Sequence, residues 1–266
     1  MTAATSALSR HEGFHSTWLD ADRDLTVFVP AGYASTAGPY PLLLLHDGQN
    51  LFDPARAFGG ETWKVAPTAD ALIAAGTIPP IVIAGVDHGG DARVREYTPT
   101  ADGQPGAGQV GRHARFLTEE VVPFLARQYA VRTDVDGLGL GGASLGGLAT
   151  VGVALAAPGR FGRLIVMSPS VWWDRRAILR QLRRTPLEPR PRTWVDVGLK
   201  EGAKTVRDAR DLVDRLDPHS GGSRDGPPAD DRNADQVRFV IDPEGDHSER
   251  SWARRFGAAL AFCFAT

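Results

Sequence analysis

Short, wholly apolar runs alternate with longer amphipathic stretches along this chain of 266 residues. The apolar runs predict buried parallel strands: PLLLLHDG at 41–48, PPIVIAGVDHGG at 79–90, DGLGLGGAS at 136–144, GRLIVMSPS at 162–170, RTWVDVGLKEG at 192–202 and QVRFVIDPEG at 236–245. The amphipathic stretches predict helices near 63–78, 113–131, 145–159, 203–216 and 251–264. We expect Pro123 to bend or split the second of these helices, and RDLTVFVP at 23–30 to form an exposed strand.

Strands that alternate with helices are typical of one architecture. The pattern predicts an α/β fold with a doubly wound, mostly parallel sheet that carries helices on both faces. We expect one domain over residues 1–266, with residues 1–20 as an N-terminal arm. The segment 218–235 is rich in Gly, Pro and Asp and predicts a polar surface loop.

Composition excludes several classes of function. The formal net charge of −2 argues against a nucleic-acid-binding surface. No apolar run is long enough for a membrane helix, and the N-terminal residues do not resemble a signal peptide. The only cysteine, Cys263, excludes an intrachain disulfide and is expected to be buried. These features predict a soluble, cytoplasmic protein with no nucleic-acid or membrane partner, whose oligomeric state the sequence leaves open.

The stretch GGASLGG carries the strongest chemical signal. Residues 142–146 match G-x-S-x-G between an apolar run and a helix of small residues, which is the setting of a nucleophile elbow. A serine hydroxyl needs a base to remove its proton. Two histidines follow Ser144: His219 lies in the polar loop, whereas His247 follows the last predicted strand. We therefore predict Ser144 as nucleophile and His247 as base. The alternative is that Ser144 only caps the helix.

A carboxylate is expected to orient the base. Glu201 falls just beyond the strand at 192–198, with a glycine on either side of its loop, and is the preferred candidate. Asp196, inside that strand, and Asp246, next to the histidine, are alternatives, as is a Ser–His dyad without an acid. For an oxyanion hole, we predict the main-chain amides of Leu145 and Gln49.

Seven segments occur in the order typical of a known family: YPLLLLHDGQNLFD, GETW, GVDHGGDARVREYTP, GGASLGGLAT, SPSVWWD, VDVGLKEG and GDHSERSWARRF. Over roughly residues 20–264 the chain resembles the putative-esterase (esterase D) family of α/β-hydrolases, which includes enterochelin esterases and feruloyl esterases. The resemblance implies the α/β-hydrolase fold, with Ser144 as nucleophile, Glu201 as acid and His247 as base. It also implies the amides of Gln49 and Leu145 as the oxyanion hole. HDGQNLFD and EYTP are most similar to the siderophore-esterase branch.

These observations predict a serine carboxylic-ester hydrolase, siderophore-esterase-like or general, that acts on a small-molecule ester without metal or organic cofactor. Alternatives are an acyltransferase with the same triad, a feruloyl or acetyl esterase on carbohydrate-linked esters, and a non-catalytic binding module. Five further residues are candidates for the substrate pocket: Asp47, Trp63, Arg95, Trp172 and Trp173. Arg95 could instead pair with a carboxylate such as Glu96. A metal site is a minor hypothesis, built from His46, Asp47, Asp87 and His88.

Overall fold

An eight-stranded sheet runs through the computed structural model, which describes residues 5–34, 38–217 and 236–265. The strands are β1 (Ala7–Ser16), β2 (Ala21–Val29), β3 (Leu42–His46), β4 (Val82–Val86), β5 (Leu138–Ala143), β6 (Arg163–Met167), β7 (Arg192–Gly198) and β8 (Val237–Asp242). Their spatial order is β1-β2-β4-β3-β5-β6-β7-β8. Strands β3 to β8 are parallel, and β2 pairs antiparallel with both β1 and β4. The predicted fold class is confirmed.

Helices cover both faces of this sheet. They are α1 (Val65–Ala74), α2 (Ala92–Tyr97), α3 (Val110–Arg115), α4 (Val122–Gln128), α5 (Leu145–Ala156), α6 (Trp173–Arg184), α7 (Ala203–Leu216) and α8 (Glu249–Phe264). Helices α1 and α8 pack on one face, and the core of the other face draws on α2 to α7. The expected long helix at 113–131 is divided into α3, a π-helical stretch at 116–121 and α4, with Pro123 in the first turn of α4.

The run of four leucines in β3 shows why the central strands lack alternation. Leu42 and Leu44 belong to the core on one face, and Leu43 and Leu45 to the core on the other. Successive side chains of a strand point to opposite faces, so a strand covered on both sides is apolar at every position.

The first twenty residues differ from the predicted arm. Residues 7–16 form β1, which pairs along its length with β2 and is therefore part of the sheet. Its side chains are mostly exposed. Backbone hydrogen bonds to β2 and the packing of Phe14 on the core hold it, and its sequence carries no apolar pattern to reveal it. Because β1 covers the sheet edge, β2 is largely buried, not exposed as predicted. The predicted loop 218–235, with His219, lies outside the described residues.

Candidate active site

Ser144 occupies the sharp turn between β5 and α5. Its backbone has φ 58 and ψ −122, a conformation that costs a non-glycine residue about 1–3 kcal/mol. The turn is possible because strand and helix touch where side chains are absent: a Cβ on Gly142 would lie 2.7 Å from the carbonyl oxygen of Gly146. The hydroxyl is thereby raised above the carboxyl end of the sheet, next to the first turn of α5.

A continuous hydrogen-bonded chain links three side chains from three loops. Ser144 Oγ lies 2.9 Å from His247 Nε2, and His247 Nδ1 lies 2.7 Å from Glu201 Oε2. The imidazole side chain is 46% exposed, whereas that of Glu201 is 2% exposed. The structure thus brings together the three residues that the sequence singled out, with the hydroxyl open to solvent-borne ligands and the carboxylate shielded.

The loops meet because β5, β7 and β8 are parallel, so that their carboxyl ends lie at one edge of the sheet. Glu201 ends a 3-10 turn, Leu199–Glu201, directly after β7. His247 lies between β8 and α8. The Lys200 amide donates to the Gly245 carbonyl at 2.9 Å, which fastens the glutamate loop to the histidine loop.

The Glu201 carboxylate has three hydrogen-bond partners. Oε1 accepts from the Gly198 amide at 2.7 Å and from Ser168 Oγ at 2.5 Å, while Oε2 contacts the His247 ring. Burial raises the pKa of this carboxyl, but these three hydrogen bonds and the charge of the ring outweigh burial, and the pKa lies below its usual value. Glu201 is therefore ionised at neutral pH.

The two alternative acids have other partners. Asp196 is fully buried and accepts from Trp194 Nε1 at 2.7 Å and from Arg255 Nε at 3.0 Å. Asp246 accepts from the hydroxyls of Ser248 and Ser251, each at 2.5 Å, at the start of α8. Neither carboxylate contacts His247 among the hydrogen bonds of the described residues.

The two predicted oxyanion-hole amides both lie at or near the start of a helical turn. Leu145 is the first residue of α5, so its N–H has no acceptor within the helix. Gln49 lies in a 3-10 turn, Gly48–Asn50, directly after β3. The Gln49 side chain is fixed by the backbone of His88, whose N–H donates to Oε1 at 3.1 Å and whose carbonyl accepts from Nε2 at 3.4 Å. Gly48 packs so closely on β4 that a Cβ would lie 2.7 Å from the Gly85 carbonyl carbon.

Asp47 lies in a buried ion pair that the sequence did not predict. Arg93 donates from Nε and Nη2 to the two carboxylate oxygens, at 2.6 and 2.8 Å. The carboxylate sits under the start of α5, since a Cβ on Gly146 would lie 3.0 Å from Asp47 Oδ2. Asp47 thus supports the turn that carries Ser144 and is not on the wall of the cavity described below.

Arg95, predicted as an anion contact, is exposed on α2 and away from that cavity wall. Its alternative partner is also wrong, because Glu96 forms a buried ion pair with Arg23. The arginine that approaches the nucleophile turn is Arg93, two positions earlier on the same short helix, through its ion pair with Asp47.

A cavity of about 190 Å³ opens beside His247, lined in part by Ser170, Thr205 and Trp172. Ser170 Oγ lies 3.4 Å from Ser144 Oγ. The Trp172 side chain is on the wall of the cavity and is 52% exposed. Of the three tryptophans predicted to line a pocket, only this one does so in the described part of the chain.

The other two tryptophans belong to the core. Trp63 is 1% exposed and packs against Trp252 and Phe256. Trp173 is 2% exposed, and its Nε1 donates to the Thr100 carbonyl at 2.9 Å. The pocket prediction is wrong for both, because each indole is buried in the core.

The four residues of the metal hypothesis have separate partners. His46 is buried, with Nδ1 3.0 Å from the Gly141 carbonyl, and burial lowers its pKa to about 4. Asp87 pairs with Arg56, and His88 Nδ1 accepts from the Gly90 amide. Within residues 5–34, 38–217 and 236–265, no three His, Cys, Asp or Glu side chains are grouped as metal ligands.

No helix in the described residues is long and apolar enough to span a membrane.

Comparison with known proteins places the chain in a family. The family model described as "Putative esterase" matches residues 16–263. The chain belongs to the putative esterase family. This esterase is therefore a carboxylic ester hydrolase, in agreement with the resemblance noted in its sequence.

Individual relatives of this esterase are distant. It is 23% identical over 251 residues to the uncharacterized protein YbbA of Bacillus subtilis, covering 91% of this chain and 93% of the relative. It is 29% identical over 178 residues to the iron(III) enterobactin esterase of Dickeya dadantii, covering 65% of this chain but 36% of the relative. The crystal structure of the BES protein from Bacillus cereus superimposes with a TM-score of 0.74 at 17% identity, over 100% of this chain and 97% of that one.

Proposed function

We propose that this esterase is a serine hydrolase that cleaves carboxylic esters through an acyl-enzyme on Ser144. The observation that carries the proposal is the hydrogen-bonded chain from Ser144 Oγ through His247 to Glu201, with spacings of 2.9 and 2.7 Å. A nucleophile, a base and an orienting acid in this order match the roles required for acyl transfer.

In the first half-reaction Ser144 Oγ attacks the ester carbonyl while His247 Nε2 takes its proton. The negative charge that develops on the carbonyl oxygen is received by the amides of Leu145 and Gln49, and removing one such donor typically costs about a hundred- to a thousandfold in rate. The imidazolium then protonates the alkoxide as the ester bond breaks. Glu201 holds the ring in place and stabilises its positive charge.

In the second half-reaction water attacks the acyl-enzyme, and His247 again accepts and returns the proton. The exposure of nearly half of the imidazole side chain favours water as the acceptor, because solvent has access to the ring of the base. An acyltransferase with the same residues would instead need to exclude water from this position.

The cavity beside His247 supports a substrate with a polar leaving group and an aromatic portion. The base returns its proton to the leaving alcohol, so that alcohol must lie on the His247 side, where Ser170 and Thr205 supply hydroxyls. Trp172 offers an exposed indole face against which an aromatic ring can stack. Enterobactin-type esters, the substrate named for the Dickeya dadantii relative, are therefore the first class to test.

A fluorophosphonate probe tests the mechanism directly. We expect stoichiometric labelling of Ser144 in the folded protein, identified by peptide mass spectrometry, and loss of labelling in Ser144→Ala. Ser6→Ala, at a partly buried hydroxyl bonded to Asp70 and remote from the site, is the matched control and should label normally. Labelling elsewhere, or full esterase activity in Ser144→Ala, would refute the proposal.

A substrate panel then defines the ester. Iron(III) enterobactin, feruloyl esters, acetylated sugars and short p-nitrophenyl esters should be compared by kcat/KM, with product analysis in the presence and absence of an added alcohol. Preference for aromatic esters with free acid as product supports the proposal. Transfer of the acyl group to the added alcohol as the main product contradicts hydrolysis.

A further inference from the structure

Ser168 is a buried hydroxyl directly behind the proposed triad. It follows the last residue of β6, is 0% exposed and has φ 40. Its Oγ makes three close contacts: 2.5 Å to Glu201 Oε1, 3.0 Å to Trp252 Nε1 and 2.9 Å to Arg255 Nη2. Sequence patterns gave no reason to single out this serine.

The chemistry of these partners sets the direction of every hydrogen bond. An indole N–H and a guanidinium can only donate, so Trp252 and Arg255 occupy both lone pairs of the Ser168 oxygen. The hydroxyl proton is then left with a single acceptor among the described contacts, Glu201 Oε1. Ser168 therefore donates to the glutamate and cannot accept from it.

The direction of the Ser168 hydrogen bond in turn restricts where Glu201 can carry a proton. Oε1 already receives the Ser168 hydroxyl and the Gly198 amide, both as donors, so a proton on Oε1 would have no acceptor. The carboxylate is thereby kept as an acceptor, and its Oε2 faces His247 Nδ1 at 2.7 Å. Because Glu201 is ionised, Oε2 can only accept a hydrogen bond, and Nδ1 must therefore carry the ring proton.

We propose that Ser168, oriented by Arg255 and Trp252, is a positioning residue that fixes His247 in the Nδ1–H tautomer. In this tautomer Nε2 has a free lone pair directed at Ser144 Oγ, as a general base requires. The inference rests on the proposed function for its catalytic consequence, but the tautomer itself is a property of the resting protein.

Several contacts hold the Arg255 side chain in place to orient Ser168. Its guanidinium is buried and contacts residues of three neighbouring segments: Ser168 after β6, Asp196 in β7 at 3.0 Å and Asp242 in β8 at 3.4 Å. Because guanidinium stays protonated, it cannot become an acceptor and reverse the chain. Trp252 is fixed from the other side, since its ring packs edge-on against His247 with centroids 5.1 Å apart.

The test is Ser168→Ala, which keeps the backbone preferences of serine at φ 40 and removes only the hydroxyl. We expect kcat to fall about ten- to a hundredfold, the range for loss of one hydrogen bond to a charged group, with KM within about twofold. In ¹⁵N-histidine NMR, wild-type His247 should be the pure Nδ1–H tautomer, and the variant should shift toward a mixture of both tautomers.

Two further variants keep the test decisive. Trp252→Phe retains the ring against His247 but removes the N–H donor, so it should cause a smaller shift in the same direction even if Ser168→Ala does not fold. Thr193→Val removes another buried hydroxyl, bonded to the Pro191 carbonyl, and should leave kcat and the NMR spectrum of His247 unchanged.

The outcomes separate this inference from the proposed function. Folded Ser168→Ala with wild-type kcat and an unchanged His247 tautomer overturns the role of Ser168. If instead the tautomer shifts but Ser144→Ala keeps full activity, the positioning role stands and the proposed serine mechanism fails.

Discussion

Gly198 and Gly245 lie in direct backbone contact, and this contact joins the loops of Glu201 and His247. A Cβ built on Gly198 would lie 2.3 Å from the carbonyl oxygen of Gly245, closer than any packing allows. The adjacent hydrogen bond from Lys200 to Gly245 strengthens the same junction. Neither glycine has a side chain, yet together they set the separation of the acid and the base.

Gly198→Ala should therefore lower kcat while the protein remains folded. The added methyl group must push the two loops apart, which lengthens the 2.7 Å contact between His247 and Glu201. A misplacement of about 1 Å can cost about a hundredfold in rate, and we expect a loss between tenfold and that value. Gly111→Ala, where a Cβ meets nothing within 4 Å, is the matched control and should keep wild-type kcat. Equal kcat in the two variants would contradict this role of the junction.

Trp172→Ala should impair aromatic esters selectively. Its indole is half exposed on the cavity wall, and an aromatic contact is worth about 0.5–1.5 kcal/mol beyond buried area. We expect kcat/KM for an aromatic ester to fall about three- to tenfold, and that for p-nitrophenyl acetate to change less than twofold. Leu8→Ala, at a similarly exposed apolar side chain on the edge strand β1, should affect neither substrate. An equal loss for both esters in Trp172→Ala would argue against a substrate contact.

His113→Phe should stabilise the protein, most strongly at acidic pH. The ring is 2% exposed, and neither ring nitrogen finds a partner among the described residues. Burial, then the nearby His46 and Arg23, hold its pKa well below the usual value. Below about pH 6.5 the unfolded ring binds a proton that the folded ring does not, so the free energy of unfolding falls as pH decreases, by up to about 1.4 kcal/mol per pH unit.

Phenylalanine removes both the unpaired nitrogens and this proton uptake, and fits a site already lined by the rings of Tyr97 and Phe116. The gain in Tm over wild type should be larger at about pH 5 than at about pH 7.5, as measured by differential scanning calorimetry. A gain that is independent of pH would contradict the assignment.

Arg93→Gln alone should destabilise the fold more than the double variant in which Asp47→Asn is added to it. The single change leaves the Asp47 carboxylate, 4% exposed, without its bidentate partner, and breaking a buried pair in this way costs about 3–5 kcal/mol. The double variant replaces both charges with amides that can bond to one another. Urea unfolding of the wild type, the two single variants and the double variant gives the coupling energy of the pair. Additive losses of stability would mean that the two residues are not coupled.

The sequence was informative where the chemistry is local. G-x-S-x-G between a strand and a helix singled out Ser144, and the position of Glu201 beyond a strand end set it apart from Asp196, whose carboxylate pairs with Trp194 and Arg255 in the structure. The apolar runs also predicted the central sheet, because a parallel strand that is buried on both faces is apolar at every position.

Contacts between distant segments were not predictable in the same way. Ser168 and Arg255 are separated by 87 positions and meet only in the folded sheet. Trp172 and Trp173 are adjacent and identical, but one faces the cavity and the other the core, a difference set by where α6 begins. The strand β1 escaped notice because it pairs through its main chain and only Phe14 among its apolar side chains packs on the core, which leaves no apolar pattern in its sequence.

The chain has one cysteine, and its burial has a practical consequence for labelling. Cys263 is 1% exposed on α8, and burial raises the pKa of its thiol to about 12. A thiol that stays protonated does not react with maleimides. Leu199 is 51% exposed on the turn that ends at Glu201. A cysteine introduced there would be the only thiol that reacts with a maleimide fluorophore, so the native cysteine need not be removed. The fluorophore would report the binding of a ligand next to Glu201.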